Sequence, residues 1–207
     1  MDSLLYLGLV SDQENRIRSL FEQTGAYLRG HFRLTSGLHS PEYLQCALVL
    51  QHPAHAGRCG RELAAALRQL AAGREVQTVA SPAIGGLIIG HEVARELGAR
   101  FIFTERDGAT GRMTLRRGFS IQPGEAAVVV EDVVTTGGST AEVVEILKAA
   151  GADVLAAGSI IDRSGGKADV GVARAALETL QVTAWPPDFC PLCQQGIPVI
   201  KPGSRPT

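Results

Sequence analysis

The hydrophobic pattern is strongest in the middle of the chain, where residues 128–130 form a run of valines. Such a β-branched run is typical of a strand that is buried on both faces of a parallel sheet. Two carboxylates, Glu131 and Asp132, follow the run, and after them comes a loop rich in threonine, glycine and serine. Residues 141–150 then repeat apolar side chains at helical spacing. The pattern predicts a strand with an acidic tip, a small-residue loop and a helix.

The rest of the pattern alternates between strand and helix signals. Strands are predicted over residues 76–80, 100–104, 154–161 and 177–184, and helices over residues 58–72 and 87–97. This alternation favours an α/β fold in which helices flank a central, mostly parallel sheet.

The amino-terminal segment has a looser pattern. Ser11 and Glu14 form a capping box for a helix that is predicted to end at Gly30. The buried stripe of this helix consists of Ile17, Leu20, Phe21 and Leu28. Residues 31–50 then alternate loosely, which predicts two short strands around a Ser-Gly and Ser-Pro turn. We expect the helix to belong to a small accessory lid outside the sheet core.

Composition narrows the class of protein. A length of 207 residues suits one domain, and 45% hydrophobic with only 5% aromatic residues favours an aliphatic α/β core. A net charge of −1 offers no field that would attract nucleic acid or an anionic membrane. No secretory signal is recognisable, and no apolar run approaches the ~18 residues of a membrane span. We therefore expect a cytoplasmic protein.

The loop after the acidic pair is a candidate anion site. Its amides and the following helix dipole favour a phosphate, and its glycines allow a close approach. It has neither the ending of a Walker A motif nor the spacing Gly-x-Gly-x-x-Gly. Because Glu131 and Asp132 would repel a phosphate unless they face hydroxyls or a cation, the pattern indicates a phosphorylated sugar with Mg²⁺. The alternative is an ordinary βα turn with a solvated acidic pair.

Residues 128–140 resemble the phosphoribosyl pyrophosphate (PRPP) signature of the type I phosphoribosyltransferases. The resemblance implies that Glu131 and Asp132 bind the ribose hydroxyls and serve catalysis. It implies that the 5-phosphate lies in the following loop, so that the remaining PRPP contacts of this segment are Val133, Val134, Thr135, Thr136, Gly137, Gly138 and Ser139. Mg²⁺ would be held mainly by PRPP and water, with no direct protein ligand expected.

A second loop of the same kind follows the strand at residues 76–80. Its Gly-Gly pair and the helix after it make another potential anion cradle, although a plain βα turn is the alternative. In the resembled family this loop receives the pyrophosphate. The residues expected to contact it are Ala83, Ile84 and Gly85.

The orotate phosphoribosyltransferases are the branch of this family that the chain resembles in residues 35–45 and in the tail from residue 190. The first run corresponds to a hood over the base, so we expect a hood made of roughly residues 1–50 and the carboxyl-terminal tail. Arg163 matches the arginine that contacts orotate, and its planar fork suits a carboxylate. Thr135 is also expected to contact orotate. Arg163 could instead form a surface ion pair with Asp162.

Residues 105–119 are basic and rich in glycine, which predicts a mobile loop with four arginines. In the resembled family this loop closes over the site and crosses a dimer interface, which implies a homodimer with a shared active site. Arg106 matches a catalytic, PRPP-binding residue of that loop. The lysines common in the family are absent at Thr35, Gly85 and Asp107. The arginines that could replace them are Arg112, Arg116 and Arg117.

The cysteine pair in the tail leaves two interpretations open. Cys190 and Cys193 have the spacing of half a structural zinc site. No second cysteine pair completes the site, and His52 and His55 lie far away in the sequence. The alternative is a tight turn with two reduced thiols. His39 is expected to be an exposed turn residue, with partial replacement of the lysine absent at Thr35 as the alternative.

The resemblance as a whole predicts Mg²⁺-dependent transfer of ribose 5-phosphate from PRPP to orotate, giving orotidine 5′-monophosphate and pyrophosphate in pyrimidine biosynthesis. One alternative is a phosphoribosyltransferase for another base, against which Arg163 argues because a neutral purine has no carboxylate. The other is a non-catalytic PRPP-sensing regulator, which the missing lysines favour. The balanced charge and the lack of a basic recognition helix argue against the regulator.

Overall fold

The computed structural model describes residues 6–8, 14–34, 36–181 and 183–202. The strands are β1 Tyr6–Gly8, β2 Tyr27–Arg33, β3 His39–Leu44, β4 Thr78–Pro82, β5 Arg100–Arg106, β6 Met113–Leu115, β7 Ala126–Val134, β8 Asp153–Asp162 and β9 Arg174–Thr179. The helices are α1 Glu14–Gln23, α2 Cys46–Leu50, α3 Pro53–Leu70, α4 Gly86–Leu97, α5 Gly138–Ala149 and α6 Pro191–Gln194, with a 3-10 turn at Pro187–Phe189.

The main sheet has the strand order β1-β9-β8-β7-β4-β5-β6, and all neighbours run parallel except β5 and β6. β2 and β3 form a separate antiparallel ribbon. The chain adds strands to one side of β4 and then, from β7 onward, to the other side. The carboxyl ends of β4 and β7 therefore meet at a switch point, where open α/β sheets bind ligands. The predicted α/β fold with a mostly parallel sheet is confirmed.

β7 lies in the centre of the sheet and supplies both layers of the core. Val128 and Val130 pack in one cluster with Leu63 of α3, whereas Val129 packs in the other with Leu147 of α5. Successive strand residues point to opposite faces, so a continuous apolar run fills both layers. Burial of each such side chain contributes about 1.5–3 kcal/mol. The buried strand predicted from residues 128–130 is confirmed.

The first helix is shorter than predicted and packs elsewhere. α1 ends at Gln23, and Gly25, with a φ of 65°, turns the chain away from the helix. Leu28 and Gly30 therefore lie in β2, so the prediction that they belong to the helix is wrong. The buried residues of α1 belong to the main core rather than to a lid: Ile17, Leu20 and Phe21. The predicted cap at Ser11 lies outside the described residues.

Residues 105–119 contain a hairpin instead of the irregular loop that was predicted. β5 continues to Arg106, and β6 returns antiparallel to it, with Thr104 opposite Leu115. The carboxylate of Asp107 accepts hydrogen bonds from the backbone amides of Ala109 and Thr110, at 3.1 Å and 2.9 Å. Aspartate commonly shapes turns in this way. The glycine spacing therefore marked the turn of a hairpin.

Two other boundaries differ from the sequence pattern. Residues 46–50, predicted to be extended, form α2 as the chain leaves the ribbon. β9 begins at Arg174 and ends at Thr179, earlier than predicted, because it pairs along β8 from Ala157 onward. Short apolar runs fit either strand or helix, so tertiary pairing decides such cases.

The β2–β3 ribbon is bound on both sides by the carboxyl-terminal tail. The backbone amides of His39 and Trp185 donate to each other's carbonyl groups at 2.8 Å and 2.9 Å. The amide of Ile200 donates to the carbonyl of His31 at 2.8 Å, and the amide of Arg33 donates to the carbonyl of Ile200 at 2.8 Å. The tail thus adds to the ribbon. Within the described ranges, every helix is too short or too polar to cross a membrane.

Candidate functional site

Three loops meet at the carboxyl edge of the sheet. They follow β4 at residues 83–85, β7 at residues 135–137, and β8 at Arg163. The amide of Arg163 donates to the carbonyl of Val134 at 2.8 Å, which joins the second and third loops. The first loop touches the tip of β7 at Asp132. The strand order therefore brings together segments that are about 80 residues apart in the sequence.

A cavity of about 460 Å³ lies between this edge and the β2–β3 ribbon. Its sheet side is lined by Asp132, Val133, Thr135, Thr136, Ser139 and Arg163. Its ribbon side includes Leu34, Ser36, Leu38, Tyr43, Gln45 and Cys46. The structure thus places six of the predicted site residues on one cavity. Val134 is buried in the core and Ile84 is 83% exposed, so neither side chain lines it.

A second cleft, of about 570 Å³, lies at the opposite edge of the sheet. Its charged residues are already paired, because Arg100 binds Glu125 at 2.7 Å. The Glu125 carboxylate also accepts a hydrogen bond from Thr78. The amino edge of a parallel sheet is not where ligands bind in this architecture. The cavity at the carboxyl edge is therefore the candidate site.

The loop after β7 has the backbone geometry of an anion cradle. Gly137 has a φ of 85°, and a Cβ atom there would lie 3.0 Å from the Cγ1 atom of Val170. Only glycine meets both conditions without strain. α5 begins at Gly138, so the amides at its amino end face the loop. Thr135 and Thr136 are exposed, which leaves their hydroxyl groups accessible to a ligand.

Glu131 and Asp132 point to opposite faces of β7, as successive strand residues do. The hydroxyl group of Thr140 donates to the Glu131 carboxylate. Burial raises the pKa of Glu131 to about 7; the Thr140 hydrogen bond opposes the shift, and the charge of Asp132 adds to it. Burial also raises the pKa of Asp132, although its Oδ1 atom accepts a hydrogen bond from the amide of Val133 at 2.9 Å. Sugar hydroxyls could supply the donors that these carboxylates lack.

Gly85 lies directly against the side chain of Asp132. A Cβ atom at this position would be 2.6 Å from Oδ1 of Asp132, which is closer than real Cβ atoms approach. A lysine, common in the resembled family at this position, would have to displace Asp132 here. The absence of a side chain also leaves the backbone of residues 83–85 open to the site. The loop after β4 packs so closely on β7 that glycine is the residue that fits at position 85.

Arg163 lines the cavity with a partly buried side chain, and one of its donors is unsatisfied among the described residues. Its Nε atom is inaccessible to solvent, and no described residue accepts a hydrogen bond from it. Asp162 binds Arg174 instead, at 2.9 Å, so the alternative of an Asp162–Arg163 surface pair is wrong. Burial lowers the pKa of Arg163, and Tyr43 and Glu42 oppose the shift. A charge held in this way is suited to an anionic ligand.

The hairpin arginines have different surroundings. Nη2 of Arg106 lies 3.2 Å from Oγ of Ser139 in the first turn of α5, within the same chain. Arg116 and Arg117 pair with the carboxylates of Asp107 and Glu105 at 3.1 Å and 2.8 Å. Of the arginines in residues 105–119, Arg112 alone makes no ion pair with the described part of the chain. Its guanidinium group is therefore available to another molecule.

Comparison with known proteins identifies the family. A family profile described as a phosphoribosyl transferase domain matches residues 48–172. The chain is 54% identical over 189 residues to the orotate phosphoribosyltransferase of Desulforamulus reducens, covering 91% of this chain and 96% of that protein. It is also 54% identical over 191 residues to that of Pelotomaculum thermopropionicum, covering 92% and 97%. The chain belongs to the orotate phosphoribosyltransferase family.

Solved structures with low sequence identity to this chain have a similar fold. The crystal structure of the Aeropyrum pernix orotate phosphoribosyltransferase has a TM-score of 0.65 at 27% identity, covering 80% of this chain and 94% of that one. An adenine phosphoribosyltransferase from Leishmania tarentolae has a TM-score of 0.63 at 19% identity, covering 86% and 93%. Proteins named for different bases therefore share the fold. The base that this chain uses must be inferred from the side chains in the cavity.

The ribbon side of the cavity was missed in the sequence. Tyr43 and Cys46 line the site from the ribbon and from α2, and the thiol of Cys46 lies 3.8 Å from the carbonyl oxygen of Asp132. Both lie in or next to the run that resembles the family's hood, and that was the available signal. Thr35, which stands where the family commonly has a lysine, lies outside the described residues.

Proposed function

We propose that the chain transfers ribose 5-phosphate from PRPP to N1 of orotate, releasing orotidine 5′-monophosphate and pyrophosphate. Relatives with 54% identity over most of the chain are named for this activity. The observation that carries the proposal is the buried Nε donor of Arg163, which has no hydrogen-bond partner among the described residues and lies on the same cavity as Asp132. A carboxylate on a planar base matches that group in charge and geometry.

The chain's own residues would act by positioning and by electrostatics. The loop after β7 would hold the 5-phosphate, while Glu131 and Asp132 accept hydrogen bonds from the ribose hydroxyls. The open backbone of residues 83–85 would face the pyrophosphate. Arg163 would bind the orotate carboxylate and thereby turn N1 toward C1 of the ribose, with Thr135 beside the base. Reaction at C1 needs no covalent nucleophile, because N1 replaces the departing pyrophosphate.

Mg²⁺ fits this donor set as an ion held mainly by substrate. Mg²⁺ prefers carboxylate and phosphate oxygens and retains several waters. Asp132 offers a carboxylate at the cavity, whereas Glu131 is engaged by Thr140. One available carboxylate fits an ion that PRPP and water carry into the site. When bound, the ion would neutralise charge on the pyrophosphate.

We also propose a cytoplasmic homodimer in which each hairpin reaches the partner's site. The support within the chain is that Arg112 lies exposed on the hairpin, without an ion pair among the described residues. Arg106 differs because it already contacts Ser139 of its own chain. Arg112 is therefore the arginine that we assign to the partner's pyrophosphate, and Arg106 is assigned to its own chain.

Mixing two impaired chains, assayed at a PRPP concentration far below saturation, tests the shared site. In a mixture of Arg112→Ala and Asp132→Asn chains, about a quarter of the sites combine an intact arginine with an intact carboxylate if the dimers exchange randomly. We expect recovery of roughly that fraction of wild-type activity in a pyrophosphate-release assay. A mixture of Arg106→Ala and Asp132→Asn chains is the matched control and should recover nothing. If the Arg112→Ala mixture stays inactive, the shared site is wrong.

The pH dependence of PRPP binding tests Glu131. Its pKa of about 7 means that the carboxyl group is mostly protonated near pH 6 and mostly ionised near pH 8. Because the ionised form accepts hydrogen bonds from the ribose, PRPP affinity should rise roughly tenfold over this range. Titration calorimetry of Glu131→Gln should show a smaller rise of PRPP affinity with pH, caused only by ionisation of PRPP itself. Identical pH profiles for the two proteins would contradict the assignment.

The activity itself is tested by pyrophosphate release from PRPP and Mg²⁺ with one base at a time. We expect release with orotate and none with adenine, hypoxanthine or uracil. Release with a neutral base at a similar rate would favour a phosphoribosyltransferase for another base. PRPP binding without release for any base would favour a PRPP-sensing regulator.

A further inference from the structure

Four side chains that can bind a metal ion converge away from the cavity, where the β2–β3 ribbon meets the tail. They are His31, His39, Cys190 and Cys193, and their ligand atoms all lie within 4.8 Å of one another. His39 is buried, so the prediction that it is an exposed turn residue is wrong. His31 and Cys190 are also buried, whereas Cys193 reaches the surface. The two histidines supply the second pair of ligands that the two cysteines lack for a four-ligand site.

The distances in this cluster are close to those of a tetrahedral site. Nε2 of His31 lies 2.9 Å from Nδ1 of His39 and 3.4 Å from Sγ of Cys190. Sγ of Cys193 lies 3.3 Å from Nδ1 of His39 and 3.7 Å from Nε2 of His31. Around zinc, with bonds of about 2.0 Å to nitrogen and 2.3 Å to sulfur, tetrahedral ligand atoms are roughly 3.3–3.8 Å apart. To reach that geometry, the two histidine nitrogens would have to move slightly apart, and ligand atoms separated by more than about 3.8 Å would have to move closer.

One histidine is already oriented by a second hydrogen bond. Nδ1 of His31 lies 2.7 Å from the carbonyl oxygen of Ile197, which can only accept a hydrogen bond. Nδ1 therefore carries the proton, and Nε2 presents its lone pair to the cluster. Metal-binding histidines in proteins are commonly oriented in this way.

The donor set indicates which metal would bind. Two cysteines and two histidines in a tetrahedron are typical of zinc. The compactness of the cluster fits a single ion rather than a two-iron centre, whose ligands divide between two metals. The exposed Cys193 leaves a path by which the ion can enter.

We propose that His31, His39, Cys190 and Cys193 bind one structural Zn²⁺ ion that fastens the tail to the ribbon. All four positions are filled by protein, so the site is closed and has no position for a substrate. Its ligands come from the neighbouring strands β2 and β3 and from the segment around α6, which lies more than 150 residues later in the sequence. The ion would join these three segments.

The zinc ion would also stabilise one wall of the candidate active site. His31 and His39 flank the turn of the ribbon, in which the amide of Leu34 donates to the carbonyl of Leu38 at 2.8 Å. Leu34 and Leu38 line the cavity. The ribbon has only two strands, and isolated two-stranded ribbons are marginally stable. A metal at its base would therefore keep this wall in position.

Metal analysis of the full chain, purified under reducing conditions without chelator, tests the proposal. We expect about one zinc ion per chain, and Co²⁺ in its place should give the absorption bands of a tetrahedral sulfur–nitrogen site. Cys193→Ser and His39→Gln should each lower Zn²⁺ affinity by at least about tenfold. Chelator should lower the midpoint of thermal unfolding by several degrees, and Zn²⁺ should restore it.

Matched controls separate this cluster from other sites. Cys59→Ala and His52→Gln change a cysteine and a histidine outside the cluster and should keep one zinc ion per chain. Because Cys193 is exposed, its serine variant should fold, and circular dichroism verifies this. The proposal is overturned if the reduced wild-type chain binds no Zn²⁺, which is the result expected if the four side chains form only a metal-free hydrogen-bonded quartet. It is also overturned if both cluster variants retain wild-type affinity.

Discussion

Replacement of Arg163 by alanine is expected to raise the KM for orotate by roughly 100-fold or more. A charge-assisted, two-pronged contact with a carboxylate contributes about 3 kcal/mol, and 1.4 kcal/mol corresponds to a factor of ten. The affinity for PRPP should change less than threefold, because Arg163 is assigned to the base. Initial rates measured over a matrix of orotate and PRPP concentrations separate the two effects.

The ligand-free stability of the same variant distinguishes a binding role from a structural one. The Nε donor of Arg163 is buried and makes no hydrogen bond with the described residues, so removal of the side chain should leave the free energy of unfolding unchanged or slightly higher. Arg163→Lys keeps the charge without the planar fork and should show an intermediate KM. Arg95→Ala, on the surface of α4, is the control and should behave like wild type. Equal losses for both substrates would contradict the assignment of Arg163 to orotate.

The second large effect is expected for Asp132→Asn, which should weaken PRPP binding by about 10- to 100-fold. The substitution keeps the shape of the side chain but removes the charge that accepts hydrogen bonds from the ribose. Inorganic phosphate, which lacks the sugar, should bind at least as well as before because a nearby negative charge is removed. Titration calorimetry with each ligand gives both affinities.

The pattern of losses decides whether Asp132 acts on the sugar. Asp153→Asn, at the opposite end of the neighbouring strand, is the matched control and should bind both ligands normally. Burial raises the pKa of Asp132, so the neutral amide should not lower the stability of the free chain. Parallel weakening of PRPP and phosphate would mean that the substitution disturbs the 5-phosphate loop instead.

Local sequence patterns were sufficient for the central unit of the fold. Residues 128–130 could only be buried on both faces, and the glycine at position 137 with helical spacing after it predicted the loop and α5. The amino-terminal helix was misjudged because Leu28 continues the spacing of α1 by coincidence, although Gly25 turns the chain before it. The hairpin at residues 105–119 was missed because three residues of β6 are too few for a periodicity to be visible.

By itself, the sequence determined the α/β fold, the loop that suits a phosphate, the acidic pair and the family. These depend on neighbours along the chain, where spacing and residue type set the backbone conformation. Only the tertiary structure decided which side chains have partners. Asp162 binds Arg174 and leaves Arg163 for a ligand, and Gly85 packs against Asp132. The histidines of the ribbon meet two cysteines more than 150 residues away. Such contacts result from strand order and chain packing, which no local pattern encodes.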